Sequence, residues 1–311
     1  GLEEAAANCH TLADATPILK EIKEKKNITP FPLTKDGVSQ IPFIFDGMGA
    51  GLTGLGVRYN DAEAKVVKVF EEEDVMAQLK VVREWFEEGI INADAASTAE
   101  GPSYKACFLA QGWSSAAKTV WGPNMGKELV AYTYGPTILS NDSVLGSVNY
   151  ISVNSEHPAE ALKFLDLLNN DSKVRDAFYY GLEGDNFEYT AEGRVHKNPD
   201  SSWGMAGYTQ GTFFTVTPTD DVEFNQWDEV RELNDAAEPS VLLGFAFDTS
   251  ELNDQITNCK SIWDRYHAEL LTGAIDPEQG VKDMYAEMEA EGLNDIMTEA
   301  QAQIDAWMAT K

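Results

Sequence analysis

The chain has 311 residues, 43% of them hydrophobic, so it can bury the core of one large or two ordinary domains and is not globally disordered. Its 52 acidic and 23 basic residues give a formal net charge of -29, which argues against nucleic acid or an anionic membrane as partner and favours a neutral or cationic one. The same acidity also serves simply to keep a secreted or abundant protein in solution. No apolar run is long enough to span a bilayer, and Cys9, Cys107 and Cys259 form no CxxC pair, so neither a disulfide framework nor a zinc cluster is expected.

In chain order, the opening GLEEAAANCH lacks an initiating Met, and Gly1 reads as a tag-cleavage scar, so an export signal or a whole N-terminal segment is expected to be missing. From Thr11 to Lys26, Leu12, Ile18, Leu19 and Ile22 recur at helical spacing and lysines close the last turn, which predicts an amphipathic helix ending near Asn27. IPFIF at 41–45 predicts a strand that empties into a long glycine-rich bend. Gly49, Gly51 and Gly54 match a GxGxxG pattern, yet no apolar helix opens after them, so a turning or binding loop is expected rather than a dinucleotide site.

The stretch 74–89 predicts a helix with Asp74 as N-cap, Val75, Leu79, Val82 and Phe86 on one face, and Gly89 as its stop. Residues 104–113 predict a strand or strand approach and 130–136 a strand stopped by Gly-Pro, with a loop or short helix between them. A second helix is expected with Ser155 as cap, Pro158 in its first turn, and Ala161, Leu162, Leu165 and Leu168 facing inward. The run 186–218 is polar, aromatic and too long for a simple connection. Beyond Asp220 the pattern is helical, with Asp276 and Pro277 starting one helix and Gly292 stopping it. Alternating strands and helices indicate an α/β architecture.

His10, His157, His196 and His267 are isolated, and no HxxxH spacing, GxSxG elbow, Walker loop or cysteine nucleophile signature occurs, so no metal, no cofactor and no catalytic residue is expected. What stands out is aromatic side chains beside glycine, aspartate or amide groups on predicted loops: Phe45-Asp46, Trp113, Trp121, Trp203, Tyr208 and Phe247-Asp248. Sugar rings present apolar C–H faces and equatorial hydroxyls, so flat rings flanked by Asp, Asn and Gln suit a neutral polar ligand. Core packing is the competing role for any one of these rings, and it is the role expected of Trp85, Trp263 and Trp307 on helices.

The order TLADATPILKEIKEKK, IPFIFDGMG, DVMAQLKVVREWFEEG, FLAQGWSSAAKTVWG and SVNYISVNSEHPAEALKFLDLLNN resembles the extracellular family 1 solute-binding proteins of ABC importers, in particular the larger Gram-positive lipoprotein branch. The tail GFAFDTSELNDQITNCKSIWDRYHAELLTGAIDPEQG resembles that branch's C-terminal part. The resemblance implies a periplasmic-binding-protein-like α/β fold of type II with a largely helical C-terminal part, lacking a lipoprotein signal and an N-terminal βα lobe. It implies second-lobe α/β structure over 1–104, an excursion toward the first lobe over 105–136, a return over 137–219 that includes the aromatic-glycine loop, and a helical region over 220–311.

Carried onto this sequence, the resemblance also implies that Phe45, Asp46 and Met48 face a ligand cleft between lobes, and that Trp113 and Phe247 with Asp248 match family aromatics. The implied function is a non-enzymatic receptor that captures an oligosaccharide or other neutral polar solute. The implied partner is a membrane permease, the implied state a monomer, and the implied location the outer face of the cell membrane through a lipid anchor. Two alternatives are a secreted glycoside hydrolase using two of the many carboxylates, and a protein-interaction domain with exposed aromatics.

Overall fold

The computed structural model describes residues 1–205 and 207–311, and of Tyr208 the backbone alone. The chain divides into two compact units: residues 1–112, 132–143 and 237–311 form the first, and residues 113–131 and 144–236 the second.

In the first unit, a small antiparallel sheet is wrapped by helices. Strand Leu55–Arg58 lies between Phe45–Asp46 and Val66–Lys68, with Phe45 opposite Arg58 and Leu55 opposite Lys68. Helix Leu12–Lys26 begins with a reciprocal cap: Thr11 Oγ1 accepts from the Asp14 N–H at 3.3 Å, and Asp14 Oδ2 accepts from the Thr11 N–H at 2.8 Å. It ends at Asn27, whose φ of 51° turns the chain out of the helix. Helix Glu73–Glu87 starts one residue before the predicted cap, because the Asp74 carboxylate is occupied by both terminal nitrogens of Arg58 at 2.9 and 3.0 Å. Its buried stripe of Val75, Leu79, Val82 and Trp85 meets helix Asn253–Thr272 and helix Pro277–Ala290.

Trp85 and Trp263 are buried, as their helix positions predict, and Trp307 packs half-buried against the same core. Trp85 donates its Nε1–H to Thr16 Oγ1 at 2.8 Å, and Trp263 stacks on Phe70 with ring centres 4.9 Å apart. Tyr285 joins sheet to helices: its buried hydroxyl donates to the Gly54 carbonyl at 2.7 Å and accepts from the Phe70 N–H at 3.1 Å. Asp276 caps helix Pro277–Ala290 by accepting from the Gln279 N–H at 2.8 Å, and Gly292 stops that run at a φ of 98° before helix Leu293–Met308. Cys259 is buried in this core, Cys9 and Cys107 are half-buried, and all three are free thiols.

The second unit has its own core of Tyr180, Phe187, Val195, Val216 and Trp227. Helices Pro158–Asn170, Ser172–Tyr180 and Gln226–Asp235 surround it, together with a hairpin pairing Phe187–Tyr189 with Val195–Lys197. Helix Pro158–Asn170 opens at Pro158 as predicted, but no side chain caps it, and Ser155 Oγ instead accepts from the His157 N–H. Of its predicted inward face, Leu168 is buried, Ala161 and Leu165 are half-buried, and Leu162 is 62% exposed.

Two predicted strands are absent, and of the strand predicted over 41–45 Phe45 alone lies in a ladder, residues 41–44 being turn. Residues 104–113 form no ladder, and the Cys107 N–H donates to the Pro30 carbonyl at 3.0 Å. Residues 130–136 are also irregular, the adjacent pairing being parallel between Ile138–Leu139 and Glu238–Pro239. A strand exists only where a neighbour supplies the other half of its hydrogen bonds, and apolar alternation carries no information about that neighbour.

Candidate functional site

The aromatic residues of the second unit form one continuous cluster. Trp113 meets Phe213 edge-on at 5.9 Å and Trp227 at 5.6 Å, Phe213 stacks on Trp227 at 4.6 Å and 17°, and Tyr179 abuts Trp227 at 5.9 Å. Trp113 is half-buried, its indole packed against the rings of this core. Its Nε1 is buried and has no hydrogen-bond partner.

Beneath the cluster lies Arg175, fully buried, with its guanidinium 5.5 Å from the Tyr179 ring centre. It donates through Nε to the Thr212 carbonyl at 2.7 Å and through Nη2 to the Gly207 carbonyl at 2.8 Å. Neighbouring Asp176 accepts from the Thr217 N–H and from the Tyr189 hydroxyl, both at 2.8 Å. The run 207–217, which looks unstructured in the sequence, is thus stapled to helix Ser172–Tyr180 by two buried charged side chains. Gly211 is required there, since at its φ of 69° an added Cβ would sit 3.1 Å from Leu168 and 3.2 Å from Arg175.

Helix Gln226–Asp235 grips the segment that carries Trp113. Glu229 Oε1 accepts from the Ser114 N–H at 2.8 Å and the Ser114 hydroxyl at 2.6 Å, and Oε2 accepts from the Ser115 N–H at 2.9 Å. Burial pushes the pKa of this carboxyl up, but the hydrogen bonds from Ser114 and Ser115 outweigh it and hold the group below its ordinary value. Gln226 takes a further hydrogen bond from the Thr119 hydroxyl. Trp121 is half-buried on the helical turn Ala117–Trp121. Trp203 is 51% exposed and accordingly does not serve as core, while the side chain of Tyr208 lies outside the described residues.

In the first unit, Phe45 is half-buried under the Arg58 guanidinium, 4.7 Å from its ring centre. Asp46 is buried at 2% exposure; Oδ1 accepts from the Met48 N–H at 2.9 Å and Oδ2 has no partner. Met48, at a φ of 61°, is buried in the main core, and so is Phe247. Asp248 is exposed and caps a tight turn by accepting from the Ser250 N–H at 3.0 Å. The glycine loop turns the chain from Phe45–Asp46 into Leu55–Arg58, with Gly49 and Gly51 at positive φ and no helix after them, as the failed dinucleotide pattern predicts.

Two residues next to this loop are invisible to sequence reasoning. Asn141 donates to the Leu242 and Phe245 carbonyls and accepts from the Gly244 N–H, each at 2.9 Å, so it fixes the 242–245 turn. Asp142 reaches over Gly47, and burial together with the nearby Asp46 charge raises its carboxyl above the ordinary range. No group of His, Cys, Asp and Glu suited to a metal ion occurs among the described residues.

Comparison with known proteins bears on the fold. A family profile described as "Domain of unknown function (DUF3502)" matches residues 241–309. A carbohydrate ABC transporter substrate-binding protein of Streptococcus pneumoniae is 24% identical over 312 residues, covering 95% of this chain. The crystal structure of the N-glycan transport solute-binding protein NgtS from the same organism superposes with a TM-score of 0.85 at 22% identity, covering 99% of this chain and 71% of that one. The chain has the fold of the solute-binding proteins of ABC importers. NgtS in complex with Man5GlcNAc superposes at a TM-score of 0.81 over 100% of this chain and 71% of that one, again at 22% identity. The chain spans 62% of the length of the curated relative.

Proposed function

We propose that the protein is a non-enzymatic solute-binding receptor of an ABC importer and that it captures an oligosaccharide. The observation that carries this reading is the half-buried Trp113, its indole backed by Phe213 and Trp227, on a chain whose fold is that of solute-binding proteins. A ring held from behind offers a flat apolar face at little further entropic cost, which is what the C–H face of a sugar needs. Trp203 adds exposed aromatic surface in the same unit, and half-buried Phe45 remains a candidate contact in the first. The curated relative is named as a carbohydrate transporter component and NgtS was crystallised with mannose-containing glycans, which supports neutral glycans as the ligand class.

The delivery partner is then a membrane permease, and the working location is the outer face of the membrane through a lipid anchor, with the receptor acting as a monomer. Binding followed by release requires no covalent step, so no side chain is assigned a catalytic role.

Calorimetry against a panel of neutral oligosaccharides that includes mannose-rich glycans tests the reading. At least one glycan is expected to bind, and Trp113→Ala is expected to weaken it by about 1–2 kcal/mol, roughly five- to thirtyfold in Kd. If no glycan releases heat, or if glycans bind and Trp113→Ala leaves every affinity unchanged, the assignment fails.

A further inference from the structure

We infer that Glu229 is a positioning residue for ligand capture: its carboxylate, gripping the two residues that follow Trp113, sets the orientation in which the indole meets the sugar. This rests on the reading of Trp113 as a sugar-stacking ring.

The Trp113 side chain has no hydrogen bond of its own to fix it, because its Nε1 is buried without a partner. Its orientation is therefore set by the rings it touches and by the backbone that leads out of it. One of those rings and the hold on that backbone come from the same helix, Gln226–Asp235, while Phe213 supplies the other ring. Trp227 supplies a ring 5.6 Å from Trp113, and Glu229, two residues on, supplies three short hydrogen bonds to Ser114 and Ser115. Gln226 holds Thr119 further along the same segment.

A carboxylate suits the task better than its isosteres. It presents two acceptor oxygens to two backbone N–H groups and one hydroxyl, all of them donors, so every contact is charge-assisted. An amide at this position would keep one acceptor and turn an NH2 toward a donating N–H, while alanine would leave two N–H groups without their partner. In either case the backbone at 114–115 is released from helix Gln226–Asp235, and the indole is free to tip on Phe213. The sequence offers no sign of this, because Ser114 and Glu229 are 115 positions apart.

The test is a double-mutant cycle on glycan affinity with Trp113→Ala and Glu229→Gln, using whichever glycan the calorimetric panel identifies, with melting temperature and tryptophan fluorescence recorded for each variant. Glu229→Gln is expected to weaken binding by about tenfold, to shift tryptophan emission, and to add nothing once Trp113 is already alanine. A purely structural glutamate would weaken the Trp113→Ala background as much as the wild type, and that additive result overturns the inference. Full affinity in Glu229→Gln overturns it too while leaving the sugar reading intact; unchanged affinity in Trp113→Ala overturns both. If Glu229→Gln does not fold, Ser114→Ala, which removes only the 2.6 Å hydroxyl bond, takes its place in the cycle with the same criteria and a smaller expected loss.

Discussion

At the scale of single residues, buried charge decides which side chains organise the second unit. Arg175 and Asp176 are both fully buried, yet neither pairs with the other; each ties a different part of 207–217 to the helix. Glu229 is the partly buried counterpart, and its titration gives a signed expectation. Its folded-state value lies below the ordinary one, because the hydrogen bonds from Ser114 and Ser115 overcome the opposing effect of burial. A depressed carboxyl contributes stability that is fully present above its unfolded value and is lost as pH falls through the folded value. The melting-temperature gap between wild type and Glu229→Gln is therefore expected to be widest at neutral pH and to close below the ordinary carboxylate range. Thermal melts across that range check it, and a gap that stays constant, or that widens in acid, contradicts the assignment of charge to these hydrogen bonds.

At the scale of elements, what could be read from the sequence follows a physical line. Helices were legible because their signals are local: the period of Val75, Leu79 and Val82, the cap at Asp276, the stop at Gly292. Helix Leu12–Lys26 is the cleanest instance, with Thr11 and Asp14 bonded to each other's backbone N–H groups. Thr11→Ala is expected to cost about 0.5–2 kcal/mol and to raise hydrogen exchange in the first turn of that helix before it does so elsewhere. Denaturant melts and site-resolved exchange measure both, and an unchanged midpoint would mean that the tertiary contacts of Leu12 and Leu19 alone hold this end in place.

Strands were legible only in part, since of the run 41–45 Phe45 alone enters a ladder, next to Leu55–Arg58, and 104–113 enters none. The candidate site was half legible for a related reason. A tryptophan on a glycine-flanked loop advertises itself in the sequence, which is how Trp113 and Trp203 were found. Whether a ring is a ligand surface or core depends on what packs behind it, and that came from Phe213 and Trp227, distant in sequence. Met48, implied by the family resemblance, and Phe247, singled out beside Asp248 on a predicted loop, lie in the main core, where side chains do not reach a ligand without the core moving.

At the scale of the whole molecule, charge is the property that sequence and structure describe in the same terms. With 52 acidic residues against 23 basic ones, most carboxylates have no cation to pair with, and compaction brings them closer together. The ion pairs that do form, such as Lys20 with Glu84 and Glu88 or Arg58 with Asp74, are largely exposed, and each contributes about 0–1 kcal/mol. Screening weakens both kinds of term, but the repulsion is summed over many more charges than the attraction. Raising sodium chloride from about 0.01 M to about 0.5 M, which shortens the screening length from about 30 Å to under 10 Å, is therefore expected to raise the melting temperature. Chloride is the right anion, because sulfate would stabilise any fold by its exclusion from the surface. A fall in melting temperature would show that local pairs such as Arg58–Asp74 outweigh the net charge. Glycan affinity, by contrast, is expected to stay flat over the same range, since a neutral ligand releases no counterions. A Kd that rises steeply with salt would mean that the ligand is a cation drawn in by the acidic surface and not a neutral sugar on Trp113.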